Sequence, residues 1–170
     1  MQPAISEKEL DFKIKLLAKQ ISDEHRNDPT PVVLVCILNG GFMFFSDLVK
    51  QINIPIEIDF IRCKSYFGRK QGDLVVTKDL ETSIKGKHVY LVDDIIDSGH
   101  TMKFLMDKFL ERGAIHVTPI ATIFKENVVI QDAFCILRYP QDSPWFVGYG
   151  MDNEDGTGRN INTILELDGK

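Results

Sequence analysis

The stretch Val89-Tyr90-Leu91-Val92-Asp93-Asp94-Ile95-Ile96-Asp97-Ser98-Gly99-His100-Thr101 joins an apolar run to a helix start through an acidic segment. Four apolar residues in a row suit a strand buried on both faces, so His88 to Val92 reads as a strand and Asp93 to Gly99 as the loop after it. From Thr101 to Arg112, Met102, Leu105, Met106 and Phe109 share one face of an amphipathic helix, and Gly113 stands where a C-terminal cap belongs. His116 to Phe124 is apolar again. Strand, helix and strand in that order imply parallel pairing and a crossover helix.

Upstream, the same order recurs. Ser6 and Glu9 form a capping box, and Leu10, Ile14, Leu17 and Ile21 fall at i, i+4, i+7 and i+11 of one helix. Asn27, Asp28, Pro29 and Pro31 end it. Val32 to Leu38 is a second buried-strand run, broken by Gly40-Gly41 before a short helix from Phe42 to Gln51. Pro55 to Lys64 and Leu74 to Lys78 read as strands, with a polar, glycine-containing segment from Ser65 to Asp73 between them as a mobile loop. Ala133 to Leu137 and Phe146 to Tyr149 are further strand candidates. The expected fold class is α/β, a mainly parallel central sheet with helices on both faces. In such sheets ligands gather at the carboxyl ends of the strands, which directs attention to Asn39 to Gly41 and Asp93 to Thr101.

Composition sets outer bounds. The 170 residues, 44% of them hydrophobic and 26% charged, suffice for one domain with its own core. Twenty Lys and Arg against 25 Asp and Glu leave a net charge of -5, which argues against a broad nucleic-acid-binding face but not against a small polyphosphate. Cys36, Cys63 and Cys135 are widely spaced and form no CxxC pair, so they read as reduced thiols. Charges at Glu7, Lys8, Glu9 and Asp11 interrupt any signal-peptide core, and no apolar run approaches the ~18 residues of a membrane span. A cytoplasmic protein is expected.

Chemistry concentrates in the acidic loop. A helix start offers unpaired N–H groups and a positive dipole end, which suits a phosphate monoester. Ser98 and Thr101 add hydroxyls, and Gly99 lets the backbone come close. Asp93, Asp94 and Asp97 would repel phosphate, so they must face other groups, such as ribose hydroxyls or a Mg²⁺ ion. A sugar phosphate satisfies both halves of the loop. A plain helix cap with solvated acids, or a receiver-type phosphoacceptor, stays open on these residues alone.

The full string from Val89 to Thr101 resembles the phosphoribosyl diphosphate (PRPP) motif of type I phosphoribosyltransferases, and the resemblance extends over roughly Val32 to Asn160. Within that family it is most similar to the hypoxanthine-guanine members. The resemblance implies the type I phosphoribosyltransferase fold over 1–170 as a single domain, with a small hood built from the N- and C-terminal segments. It implies transfer of 5-phosphoribosyl from PRPP to N9 of hypoxanthine or guanine, releasing diphosphate, with Mg²⁺ as cofactor.

Residue by residue, the resemblance places ribose and 5′-phosphate on Asp93, Asp94, Asp97, Ser98, Gly99, His100 and Thr101, with Asp97 catalytic at purine N7. Leu38, Asn39, Gly40 and Gly41 match the diphosphate loop, including a non-proline cis peptide at Leu38-Asn39; many relatives carry Lys where this chain has Asn39. Ser65 and Tyr66 match the start of a flexible loop that closes over the site. Lys125 matches the donor to the purine 6-oxo oxygen, Trp145 the stacking ring, and Phe146, Val147 and Asp152 the rest of the base pocket. Asp152 joins Asp93 and Asp94 as a candidate metal ligand. Arg159 matches a diphosphate-binding arginine, one residue further from Asp152 than is usual. A homodimer or homotetramer is implied. The rival readings are a xanthine-guanine-preferring relative and a PRPP-sensing regulator that binds nucleic acid.

Overall fold

Pairing of the apolar runs builds the core of the computed structural model, which describes residues 2–67 and 71–167. In chain order the elements are β1 (Gln2–Pro3), α1 (Glu7–His25), β2 (Val32–Ile37), α2 (Phe42–Gln51), β3 (Glu57–Phe67), β4 (Gln71–Lys78), β5 (His88–Ile96), α3 (His100–Glu111), β6 (His116–Lys125), β7 (Phe134–Tyr139), β8 (Trp145–Val147) and β9 (Leu165–Leu167). Six strands form one sheet in the order β4-β3-β2-β5-β6-β7. All neighbours are parallel except β3 and β4.

The two-faced burial expected of β2 has a simple cause. Val32, Leu34 and Cys36 face α1 and α2, packing with Ile14, Ile21, Phe44 and Leu48. Val33, Val35 and Ile37 face the opposite way, into a core with Met102, Leu105 and Phe109 of α3. Each fully buried side chain of this size contributes roughly 1.5–3 kcal/mol. Ser6 caps α1 by accepting the Glu9 N–H at 3.2 Å. Gly113, at φ +89°, ends α3: its N–H donates to the Leu110 carbonyl at 3.0 Å and that of Ala114 to Phe109 at 3.1 Å.

Three expectations shift. The strand expected to stop at Val92 continues to Ile96, because Asp93, Ile95 and Ile96 pair with Ala121, Ile123 and Phe124 of β6. The acids thus stand on a strand end instead of a loop. In the segment read as a mobile loop, the backbone of Ser65, Tyr66 and Phe67 pairs antiparallel with Leu74, Asp73 and Gln71; its central residues 68–70 lie outside the described residues. The strand expected from Phe146 to Tyr149 is Trp145–Val147, since Gly148, Tyr149 and Gly150 all take positive φ and turn the chain.

A second, three-stranded antiparallel sheet runs β1-β9-β8. It fastens both ends of the described chain to the segment that begins at Trp145. Among the described residues, no helix is long and apolar enough to cross a membrane.

Candidate active site

Beyond the carboxyl ends of β2, β5 and β6, three segments converge, and glycine makes the convergence possible. A Cβ on Gly40 would fall on the Asp94 carboxylate. On Gly41 it would sit 3.0 Å from the Ile37 carbonyl oxygen and 3.1 Å from that of Val92. On Gly150 it would strike the carbonyl oxygen of Gly40. The Leu38–Gly41 loop is therefore wedged between the acidic end of β5 and the turn after β8. Its Leu38-Asn39 peptide is cis, as the resemblance implied. Two of its N–H groups tie it to the sheet: Leu38 donates to the Ile61 carbonyl of β3 at 2.8 Å and Gly41 to the Ile37 carbonyl of β2 at 3.2 Å.

The two acids at the end of β5 organise each other. Asp93 Oδ1 accepts the Asp94 N–H at 2.9 Å, and Asp94 Oδ1 accepts that of Ile95 at 2.9 Å. Burial pushes the Asp93 carboxyl well above the usual carboxylate range, and the neighbouring Asp94 charge pushes it the same way. Such a pair favours a cation or hydroxyl donors beside it. Past Ile96 the chain reaches Gly99, whose left-handed φ of +75° opens α3 with no side-chain cap. The Ser98 hydroxyl accepts the His100 N–H at 3.3 Å. The positive end of α3 thus lies next to the acids, in the arrangement that suits a sugar phosphate.

Beside this end of β5 lies a cavity of about 400 Å³, walled by Asp94, Ile95, Asp97, Lys125, Gln141, Ser143, Pro144, Trp145, Phe146, Met151 and Asp152. That volume suits a small organic ligand. Lys125 is 5% exposed. Its Nζ contacts the Ser143 hydroxyl and lies 5.5 Å from the centre of the Phe146 ring. Gln141 Nε2 donates to Asp97 Oδ1 at 3.3 Å. Trp145 is 63% exposed on the rim, its indole N–H donating to the Asp152 carbonyl at 3.2 Å. Another cleft, of about 420 Å³ between α1 and α2, has Glu7, Asp11 and Asp47 on its walls with Lys50 as its cation, a poor lining for an anionic substrate.

Asp94, Asp97, Lys125, Trp145, Phe146 and Asp152 thus share one cavity. Phe146 is a buried floor residue, stacked edge-on against Tyr139 at 4.7 Å. Val147 is not among the described lining residues; its side chain is buried and it pairs with Leu165 of β9. Arg159 is turned to the base side, donating to Asp152 Oδ2 at 2.5 Å and to the Gly150 carbonyl at 2.7 Å. Through Gly150 it stands one contact from the Gly40 carbonyl. Ser65 and Tyr66 lie on the β3–β4 arm. Gln141 and Ser143 were missed from sequence, where Pro140-Gln141-Asp142-Ser143-Pro144 reads as a polar connection between strands.

Comparison with known proteins finds relatives over most of the chain. The family model for the phosphoribosyl transferase domain matches residues 5–154. A hypoxanthine phosphoribosyltransferase of Buchnera aphidicola is 35% identical over 154 residues, covering 87% of this chain and 85% of that protein. Among solved structures, a hypoxanthine-guanine phosphoribosyltransferase of Bacillus anthracis superposes with a TM-score of 0.87 at 32% identity, over 99% of this chain and 98% of the other. The hypoxanthine phosphoribosyltransferase of Trypanosoma cruzi, in complex with the product IMP, gives 0.87 at 28% identity, over 98% and 93%.

Proposed function

The chain belongs to the phosphoribosyl transferase family, and from that premise we propose how its own residues carry the reaction. It is a purine salvage enzyme that transfers 5-phosphoribosyl from PRPP to N9 of hypoxanthine or guanine, giving IMP or GMP and diphosphate. The xanthine-guanine-preferring and nucleic-acid-binding alternatives are not favoured by these relatives. The observation that carries the reading is the meeting of Lys125 and Asp97 in one cavity that also touches the acidic end of β5.

The roles follow from chemistry. Lys125 donates to the 6-oxo oxygen of the base, a contact that adenine's 6-amino group cannot accept. Such a mismatch leaves a buried donor unpaired, at roughly 1–3 kcal/mol. Asp97 faces N7 and holds or takes its proton. Trp145 stacks on the base from the rim, over Phe146, while Val147 and Asp152 complete the pocket. Ser98 to Thr101, at the start of α3, hold the 5′-phosphate. Asp93 and Asp94 accept hydrogen bonds from the ribose hydroxyls. Leu38 to Gly41 border the diphosphate, with Arg159 behind Gly150. Ser65 and Tyr66 lie on the arm that closes over the reacting sugar and excludes water.

The acid pair suits Mg²⁺. No group of three or more acids, histidines or cysteines among the described residues could hold a metal, and Mg²⁺ commonly takes only one or two carboxylates together with substrate phosphates. Asp93 and Asp94 would hold the ion, and Asp152, already paired to Arg159, would lie near the base or a second Mg²⁺. When bound, Mg²⁺ neutralises charge on the departing diphosphate.

We read residues 1–170 as one catalytic domain, its hood formed by the β1-β9-β8 sheet, working in the cytoplasm as a homodimer or homotetramer. Phe44 and Phe45 are buried in the core, and Phe42 beside them is 41% exposed and available to a partner subunit. A spectrophotometric assay with PRPP, Mg²⁺ and each of hypoxanthine, guanine and xanthine tests the function. Nucleotide formation from the first two is expected; turnover with none of the three would refute it.

A further inference from the structure

The turn between β7 and β8 reaches into the base cavity with two polar side chains that the assigned roles do not use. Pro140 to Ser143 is a tight turn, closed by the Ser143 N–H donating to the Pro140 carbonyl at 3.1 Å. Gln141 and Ser143 both line the cavity. Each contacts a residue given a role at the base: Gln141 donates to Asp97 Oδ1 at 3.3 Å, and the Ser143 hydroxyl accepts from the Lys125 ammonium.

The hydrogen-bond inventory gives this arrangement a direction. An ammonium has only donors, so in the Lys125–Ser143 contact the serine oxygen is the acceptor. The hydroxyl hydrogen is then left to point at another acceptor. Lys125 is buried and sits over the apolar ring of Phe146; the cavity wall they share also carries apolar Ile95, Pro144 and Met151 and the carboxylates of Asp94, Asp97 and Asp152. Of the carboxylates on the same wall, Asp97 already accepts from Gln141 and Asp152 from Arg159; a bound base brings a further acceptor, the oxygen that Lys125 itself addresses. On the other edge of the cavity, the Gln141 amide ties the turn to β5's carboxyl end through Asp97, fixing where Ser143 stands.

We propose that Ser143 is a base-recognition residue that donates to the 6-oxo oxygen alongside Lys125, and that Gln141 is a positioning residue that latches the turn to Asp97. This rests on the reading of the cavity as a 6-oxopurine site. Two convergent donors on one carbonyl oxygen select an oxo group more strongly than Lys125 alone, because the lone pair of a purine amino group is delocalised into the ring and accepts from neither.

Steady-state kinetics on the full chain test it, with hypoxanthine and PRPP varied in turn. A neutral hydrogen bond of ordinary strength corresponds to about a 2- to 12-fold effect. Ser143→Ala is expected to raise the KM for hypoxanthine by about that factor, leaving the KM for PRPP unchanged, and Ser143→Thr, which keeps the hydroxyl, should recover most of the loss. Gln141→Ala should raise the KM for the base in the same sense, since the turn is released. An unchanged base KM in Ser143→Ala, or an equal rise in both KM values, overturns the assignment while the salvage reading stands. A wild-type protein that converts no 6-oxopurine overturns both. Thermal melting of each variant separates loss of fold from loss of recognition, and IMP titration gives a second readout, expected to weaken about as much as the base KM rises.

Discussion

Asp97 and Lys125 reach the same cavity from different strands, and each carries a distinct chemical demand. A positioned base contributes about 10²–10⁴-fold, so Asp97→Asn should lower kcat by that factor while PRPP titrated calorimetrically binds as before; unchanged turnover would remove Asp97 from the mechanism. Lys125→Met removes the ammonium donor to the 6-oxo oxygen. Its loss should raise the KM for hypoxanthine by roughly 5- to 150-fold, the equivalent of about 1–3 kcal/mol, with little change for PRPP. The legibility of these residues in sequence differed for a physical reason. Asp93 to Thr101 form one continuous string, so local chemistry alone suggested sugar phosphate and metal. Lys125 carries no local signal: a lysine at a strand end is usually solvated, and family resemblance was needed to single it out. Ser143 and Gln141 meet their partners 18 and 44 residues away, and nothing local announces such contacts.

Elements that bury a face against neighbours announced themselves; elements defined by pairing alone did not. α1 carried its own cap and period, and β2 its unbroken apolar run. The far end of β5 was hidden because Asp93 and Asp94 interrupt that run, although the backbone ladder with β6 continues through them. β1 and β9 pair Gln2 with Glu166 across nearly the whole chain and are too short for any periodicity. The turn after β8 shows what such long-range closure does for the site. Gly150, at φ +101°, donates its N–H to the Arg159 carbonyl at 3.0 Å and rests on the Gly40 carbonyl. Gly150→Ala would suffer both an unfavourable φ and a backbone collision. A loss of about 2–4 kcal/mol in urea unfolding is expected, with the KM for PRPP raised because the Leu38–Gly41 loop must shift. Stability close to wild type would show that the two loops do not bear on each other.

Viewed whole, the sheet has two ends with different work. Its carboxyl end holds the site, and its amino end holds an aromatic and imidazole cluster between α1 and the starts of β5 and β6. His25, at the end of α1, stands 4.9 Å from His88 and its Nε2 is 2.8 Å from the Tyr90 hydroxyl; His116 is 6.1 Å beyond His88. The Tyr90 hydroxyl donates to Glu24 at 3.2 Å, so the bond to His25 places a hydrogen on Nε2. Burial pushes the pKa of His88 below its ordinary value of 6.5, with His25 and His116 pushing the same way and Asp28 opposing them. The sign follows: as pH falls below about 6.5, the unfolded chain binds protons that the folded one resists, so stability is lost in that window. His88 is only half-buried, and solvent screening keeps the effect small. Urea midpoints at about pH 7.5 and pH 5.5 should therefore separate by less in His88→Asn than in the wild type. PRPP binding should be the same in both proteins, because the cluster and the site occupy opposite ends of β5. Equal acid losses in the two proteins would assign the sensitivity to other groups, and an altered PRPP affinity in His88→Asn would mean that the ends of the sheet are coupled.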